Sequence, residues 1–159
     1  MEDASLNQDI LILFGTQTGT AEDLAEQLGD GLMVNDISHR IENMFDITLE
    51  VVKSYQHIFM IVSTWGEGDP PDDAEALYEE LKRASSEALK GSNFAVFGLG
   101  DTGYEYFCQS GIDFDRMMEQ AGSKRLLARV DADIDFDDDF TKWALAVQSH
   151  ITTNIALFV

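Results

Sequence analysis

Residues 10–28 constrain the fold more than any other stretch of this chain. Ile10–Phe14 is an unbroken apolar run. It is too short for a helix and fits a strand buried on both faces. Gly15-Thr16-Gln17-Thr18-Gly19-Thr20 follows, small and rich in hydroxyls. Ala21, Leu24, Ala25 and Leu28 then recur at i, i+3, i+4 and i+7, one face of a helix. A strand, a tight loop and a helix start make a phosphate cradle. The first-turn N–H groups of a helix lack partners, and the macrodipole puts partial positive charge there. Thr16, Thr18 and Thr20 add hydroxyl donors. The loop has no Lys, so it is not a Walker loop, and it lacks the GxGxxG spacing of a dinucleotide site. It suits a single terminal phosphate. The same residues also describe an ordinary Thr-capped helix start, so this loop does not decide alone.

A chain of 159 residues makes about one domain, expected here to run over 1–159. No apolar run approaches the roughly 18 residues of a membrane span. The acidic start, Met1-Glu2-Asp3-Ala4-Ser5, is not a signal peptide. Cys108 is the only cysteine, so no internal disulfide forms, and a reduced cytoplasmic setting fits. His39, His57 and His150 are scattered, and no Cys/His cluster points to a metal. A net charge of −20 argues against nucleic acid and anionic membranes as partners. It fits either a solubilising or salt-adapted surface or docking to basic partners by electrostatic steering.

The chain alternates strands and helices. Strands are expected at Ile10–Phe14, His39–Asn43, Ile58–Ser63, Phe94–Gly98 and Leu126–Val130. Helices are expected at Ala21–Gly31, Thr48–Ser54, Asp73–Ser85, Gly111–Ala121 and Asp137–Ile151. Leu77, Tyr78, Leu81 and Ala84 form one apolar helix face, and Phe140, Trp143, Ala144 and Val147 another. Such alternation with apolar strands means an α/β fold with a parallel sheet covered on both faces. Ligands of such folds bind at the carboxyl ends of the strands.

Three strand ends carry unusual loops, all at that edge. The first is Thr16–Thr20. The second is Ser63-Thr64-Trp65-Gly66-Glu67-Gly68-Asp69-Pro70-Pro71. The third is Gly98-Leu99-Gly100-Asp101-Thr102-Gly103-Tyr104-Glu105-Tyr106-Phe107-Cys108. The second and third each set an aromatic, Trp65 or Tyr104, among glycines that let backbone approach a ligand closely. Two such aromatics can sandwich a planar ring. Singly, Trp65 could cap the core and Gly66 and Gly68 could be turn formers. Together, a phosphate at loop one and a flat ring between loops two and three describe flavin mononucleotide, FMN.

These loops, with Leu126-Leu127-Ala128-Arg129-Val130-Asp131-Ala132-Asp133, resemble the flavodoxin-like FMN domain of diflavin reductases, above all that of the sulfite reductase flavoprotein subunits. The similarity covers most of the chain outside residues 32–56. It implies a flavodoxin-like doubly wound sheet of five parallel strands in the order 2-1-3-4-5, helices on both faces, and one- and two-electron chemistry at FMN. On this resemblance Thr16, Gln17, Thr18, Gly19 and Thr20 match the phosphate loop. Ser63, Thr64, Trp65, Gly66, Glu67 and Gly68 match the second loop, with Trp65 the inner ring contact. Gly66 matches the residue whose peptide reorients to hydrogen-bond reduced flavin at N5. Gly98, Leu99, Gly100, Asp101, Tyr104, Phe107 and Cys108 match the third loop, with Tyr104 the outer stacking aromatic. Asp131 falls near the ribityl side. Residues 1–159 carry no second nucleotide fingerprint and no nicotinamide site, so a stand-alone flavodoxin-like protein is the expectation. Lys124–Asp133 has no room for the fifth-strand insertion of long-chain flavodoxins.

Other readings stay open at this point. Cys108 reads as a packing residue, since it lacks a basic neighbour to stabilise a thiolate. Glu67, Asp69 and Asp101 could be acid/base groups or solvated docking charges. The aspartates from Asp131 to Asp139 lack the EF-hand glycine and glutamate, so no metal is expected. An electron shuttle between a basic reductase and a basic acceptor, monomeric and with no catalytic residue of its own, is the leading functional expectation. The FMN domain of a diflavin reductase and a self-contained FMN quinone reductase are the competing ones. A receiver-type signalling domain is disfavoured, because Ser63 and Thr64 stand where that class needs an Asp.

Overall fold

The computed structural model describes residues 10–16, 19–64 and 68–157, the last four as backbone only. Its strands are β1 (Ile10–Gly15), β2 (Arg40–Asn43), β3 (His57–Ser63), β4 (Asn93–Leu99), β5 (Lys124–Arg125) and β6 (Val130–Ala132). Its helices are α1 (Thr20–Val34), α2 (Leu49–Val52), α3 (Glu75–Lys82), α4 (Gln109–Gln120) and α5 (Asp137–Leu157). All strand pairings are parallel. The sheet order is β2-β1-β3-β4-β5, with β6 also on β4. This is the expected doubly wound order with a sixth segment added.

Alternate residues of the central strands feed two cores. Ile10, Ile12 and Phe14 pack with Leu24 and Leu28 of α1 and Trp143 and Val147 of α5. Leu11 and Leu13 pack with Leu77 and Leu81 of α3 and Phe114 and Met118 of α4. Both faces of the sheet are therefore apolar, which is why β1, β3 and β4 read as continuous runs rather than alternating ones. Phe97 meets the rings of Phe140 at 5.3 Å and Trp143 at 5.5 Å, locking α5 onto β4.

Several boundaries differ from the sequence expectation. The second helix shrinks to the single turn Leu49–Val52. The stretch expected as one helix from Asp73 begins instead with a 3-10 turn, Asp72–Ala74, and its α-helical part ends at Lys82. The C-terminal helix runs on to Leu157. The largest difference is the fifth strand. Lys124 and Arg125 pair with Asn93 and Phe94, whereas Val130, Asp131 and Ala132 pair with Phe97, Gly98 and Leu99. Leu126 still donates its N–H to Phe94 O at 2.8 Å, and residues 127–129 then leave the ladder, so the expected strand Leu126–Val130 is replaced by two short segments.

Asp115 of α4 explains the break. Its buried carboxylate accepts from Arg125 at 2.8 Å and from Arg129 at 3.3 Å. Both arginines converge on this one acceptor, while Leu126 and Leu127 between them pack against the core. Arg129 also grips Asp131 at 2.7 and 3.2 Å. A backbone contact seats α4 on the sheet: a Cβ on Gly111 would lie 3.1 Å from the Cα of Gly98. Only glycine permits that approach.

Candidate functional site

The three loops meet at the carboxyl edge of the sheet. In the first, the Gly19 N–H donates to Thr16 Oγ1 at 2.9 Å, closing a turn that ends at the start of α1. Gly19 has φ 93°, the left-handed region that glycine tolerates best. A Cβ there would meet no atom within 4 Å, so the approach to this backbone is open. Gln17 and Thr18 lie outside the described residues.

The second loop starts as β3 ends. The Ser63 hydroxyl donates to the Gly15 carbonyl at 3.4 Å, tying loop two to loop one. The Thr64 N–H donates to Leu99 O at 3.1 Å, extending the β3–β4 ladder by one bond. Gly68, at φ 87°, is buried under Tyr106, and a Cβ there would lie 2.8 Å from the Tyr106 Cβ. Trp65, Gly66 and Glu67, expected at the ring, lie outside the described residues.

The third loop leaves β4 through Gly100, whose N–H donates to Ala132 O at 2.9 Å. A Cβ on Gly100 would stand 2.9 Å from the backbone N of Cys108, so the loop closes on itself only with glycine here. Asp101 Oδ1 accepts from the Gly103 N–H at 2.8 Å, and Tyr104 projects outward, 59% exposed. Leu99 is buried and Phe107 half-buried, so they support the loop from below. Gly98 sits under α4 against Gly111.

A cavity of about 290 Å³ opens between these loops. Thr20, Ser63, Thr64, Leu99, Gly100, Asp101 and Tyr104 line it, and all seven were singled out from the sequence. Asp133, Ile134 and Phe136, after β6, line it as well, and sequence reasoning missed them. Asp133 accepts from the Thr102 hydroxyl, the Thr102 N–H and its neighbour's N–H, Ile134. Those bonds, the hydroxyl first, hold its carboxyl below the usual aspartate range. Asp131 stands apart from this wall. It lies on β6 opposite Gly98 with its carboxylate on Arg129.

Cys108 is fully buried at φ 54°. Its S–H lies 3.5 Å from Ala132 O and 3.6 Å from Gly98 O. Burial, then the Asp131 carboxylate, push the thiol up to about 12. It joins β4, β6 and α4 beneath the cavity and has no thiolate chemistry at neutral pH. Among the described residues no group of His, Cys, Asp and Glu is arranged to hold a metal ion.

The donor set fits a phosphorylated planar ligand. A helix N-terminus with an open glycine turn borders one end, hydroxyls line the floor, and an exposed tyrosine stands at the rim. Residues 12–143 match the flavodoxin family. The chain belongs to that family. Flavodoxins carry FMN.

The relatives place this flavodoxin more narrowly. The sulfite reductase [NADPH] flavoprotein alpha-component of Bacillus subtilis is 37% identical over 87% of this chain and 23% of its own length. That of Klebsiella pneumoniae is 40% identical over 87% and 23%. That of Zymomonas mobilis is 42% identical over 84% and 22%. The chain thus spans less than a quarter of the curated relatives it matches. Among solved structures, flavodoxin 2 of Bacillus cereus aligns with TM-score 0.73 at 26% identity, over 87% of this chain and 96% of that one. A Streptococcus pneumoniae flavodoxin aligns with TM-score 0.79 at 23% identity, over 91% and 98%, which shows the shared fold.

Proposed function

We propose that this chain is an electron-transfer flavodoxin that takes electrons from a reductase and passes them to an acceptor enzyme or haem protein. The observation that carries the reading is the convergence of three strand-end loops on one open cavity bordered by a helix N-terminus and an exposed tyrosine. Bound there, FMN supplies one- and two-electron redox chemistry. Thr16–Thr20 and the start of α1 hold the phosphate through backbone N–H groups and hydroxyls. Ser63 and Thr64 set the floor, Tyr104 and Trp65 cover the ring faces, and Asp101 and Asp133 keep the third loop in place. The site offers no cationic side chain among the described lining residues, so backbone and hydroxyl donors carry the phosphate.

The partners proposed are basic. A groove lined by Asp69, Asp72, Glu75 and Glu79, with Lys82 also on its wall, opens beside the second loop, and the net charge is −20. A basic partner is drawn to that edge and oriented by it. The reading takes residues 1–159 as a single FMN-binding domain that acts as a monomer in the cytoplasm. No helix among the described residues is long and apolar enough to cross a membrane.

The test is titration of the purified apoprotein with FMN and FAD, followed by stopped-flow electron transfer to a basic haem protein at several ionic strengths. One FMN per chain, no stable FAD complex and a rate that falls steeply with salt are expected. A protein that takes up no FMN overturns the reading. A rate indifferent to salt overturns the basic partner.

A further inference from the structure

Ser110 is a fully buried polar residue in the second position of α4, and it touches two segments remote in sequence. Its backbone N–H donates to Thr64 Oγ1 at 3.0 Å. Its hydroxyl donates to the carbonyl of Asp69 at 3.1 Å. Thr64 lines the cavity. Thr64 and Asp69 also stand on either side of the segment carrying Trp65, Gly66 and Glu67. A single residue therefore holds the second loop from both sides.

The capping chemistry shows why the two are coupled. The first-turn N–H groups of a helix need outside acceptors, and the residue before the helix normally supplies one. Here that residue is Cys108, in a left-handed conformation and without a side-chain cap bond. Thr64, from another loop, supplies the oxygen instead. The start of α4 and the position of Thr64 are thus one arrangement. The Gly98–Gly111 backbone contact one residue further on presses this turn onto β4. The anchor cannot shift unless the helix lifts off the sheet.

We infer that Ser110 is a positioning residue for the FMN site: by tying Thr64 and Asp69 to the first turn of α4, it fixes these two flanking residues and so tunes the affinity and reduction potential of bound FMN. The inference rests on the proposed function. Ser110 does not line the cavity, so it acts through the two residues it holds.

The test compares Ser110→Ala with the wild type in both apoprotein and FMN-loaded forms. In the apoprotein, amide hydrogen exchange at Gly68 and Asp69 is expected to accelerate in Ser110→Ala while exchange in β1 and α5 stays as in the wild type. In the loaded protein, the FMN Kd rises about fivefold, the effect of one lost buried hydrogen bond, and the midpoint potential moves from the wild-type value. Ser110→Thr, which keeps the hydroxyl, returns both toward wild type. Thr64→Val removes the acceptor on the other side of the loop and displaces the potential as well, which keeps the test open if Ser110→Ala does not fold. An unchanged Kd and potential in Ser110→Ala, with only the loop's exchange faster, overturns the inference. So does faster exchange throughout the chain. A wild-type protein that takes up no FMN overturns the proposed function itself, a result the comparison of variants cannot produce.

Discussion

Asp133 accepts two hydrogen bonds from one residue, taking the Thr102 N–H at 3.0 Å and the Thr102 hydroxyl at 2.6 Å. This fork joins the third loop to the end of β6 across the cavity mouth. The bonds favour the charged form, so the folded carboxyl titrates below its unfolded value of about 3.9. The stability it lends is present above that unfolded value and is lost as pH falls through the folded one. The Thr102 amide resonance is expected to hold its position from neutral pH to about pH 4.5 and to move on further acidification. Asp133→Asn should abolish that movement. A Thr102 resonance that titrates identically in the variant would show that another group governs it.

Removing Asp115 should unfasten the split fifth strand. Its carboxylate is buried, whereas Arg125 and Arg129 are partly exposed and can turn to solvent. The cost of Asp115→Ala is therefore below that of a fully buried pair, about 2–3 kcal/mol in urea unfolding. Because β6 feeds Ala132 O to the Gly100 N–H, FMN binding should weaken in the same variant. Arg116→Ala, on the same helix but paired to Asp113 from a more exposed position, should cost well under about 1 kcal/mol.

The glycines of the loops should differ in what they tolerate. Gly19→Ala meets only backbone strain, since nothing stands within 4 Å of the new methyl. About 1 kcal/mol of stability is expected to be lost. Gly100→Ala brings the methyl to 2.9 Å from the Cys108 backbone. That loop must open, with a loss above about 2 kcal/mol and little FMN retained. Thermal unfolding and FMN titration of the two variants side by side measure the contrast.

Cys108 should be inert while the protein is folded. Buried and with its thiol pushed up to about 12, it should not react with a disulfide reagent at pH 8 until the chain is unfolded. A group whose folded value is raised lends stability in full below the unfolded value of about 8.5, and that stability is lost as pH climbs toward the folded one. The Tm of the wild type should fall more steeply above about pH 8.5 than that of Cys108→Ala. Rapid labelling of the folded protein would contradict this placement.

What the sequence conveyed and what it withheld follow from how local each signal is. β1, β3 and β4 are legible because burial on both faces demands unbroken apolar runs such as Ile58–Val62. The three loops are legible because close packing demands glycine at positions such as Gly68 and Gly100. The fifth strand is not legible. Its register depends on Asp115, ten residues from Arg125, and nothing in Leu126–Arg129 announces that the chain leaves the ladder. Placing that strand's end at Val130 hid Asp133, Ile134 and Phe136. The rule that ligand loops follow strand ends would have found them had the strand been run to Ala132.

The split strand also bears on how copies of this chain meet one another. A sheet edge is a row of unpaired amides and carbonyls, and a long flat one recruits strands from neighbouring molecules. Here the edge beside β4 is carried by segments of two and three residues, separated by residues 126–129. The opposite edge, β2, is four residues long and bears Arg40 and Glu42. Neither margin gives a foreign strand a continuous template. Like-charge repulsion at −20 adds to that protection. Edge-to-edge addition is thereby disfavoured at both margins, and the folded protein should stay dispersed at concentrations where a chain with one long open edge would assemble.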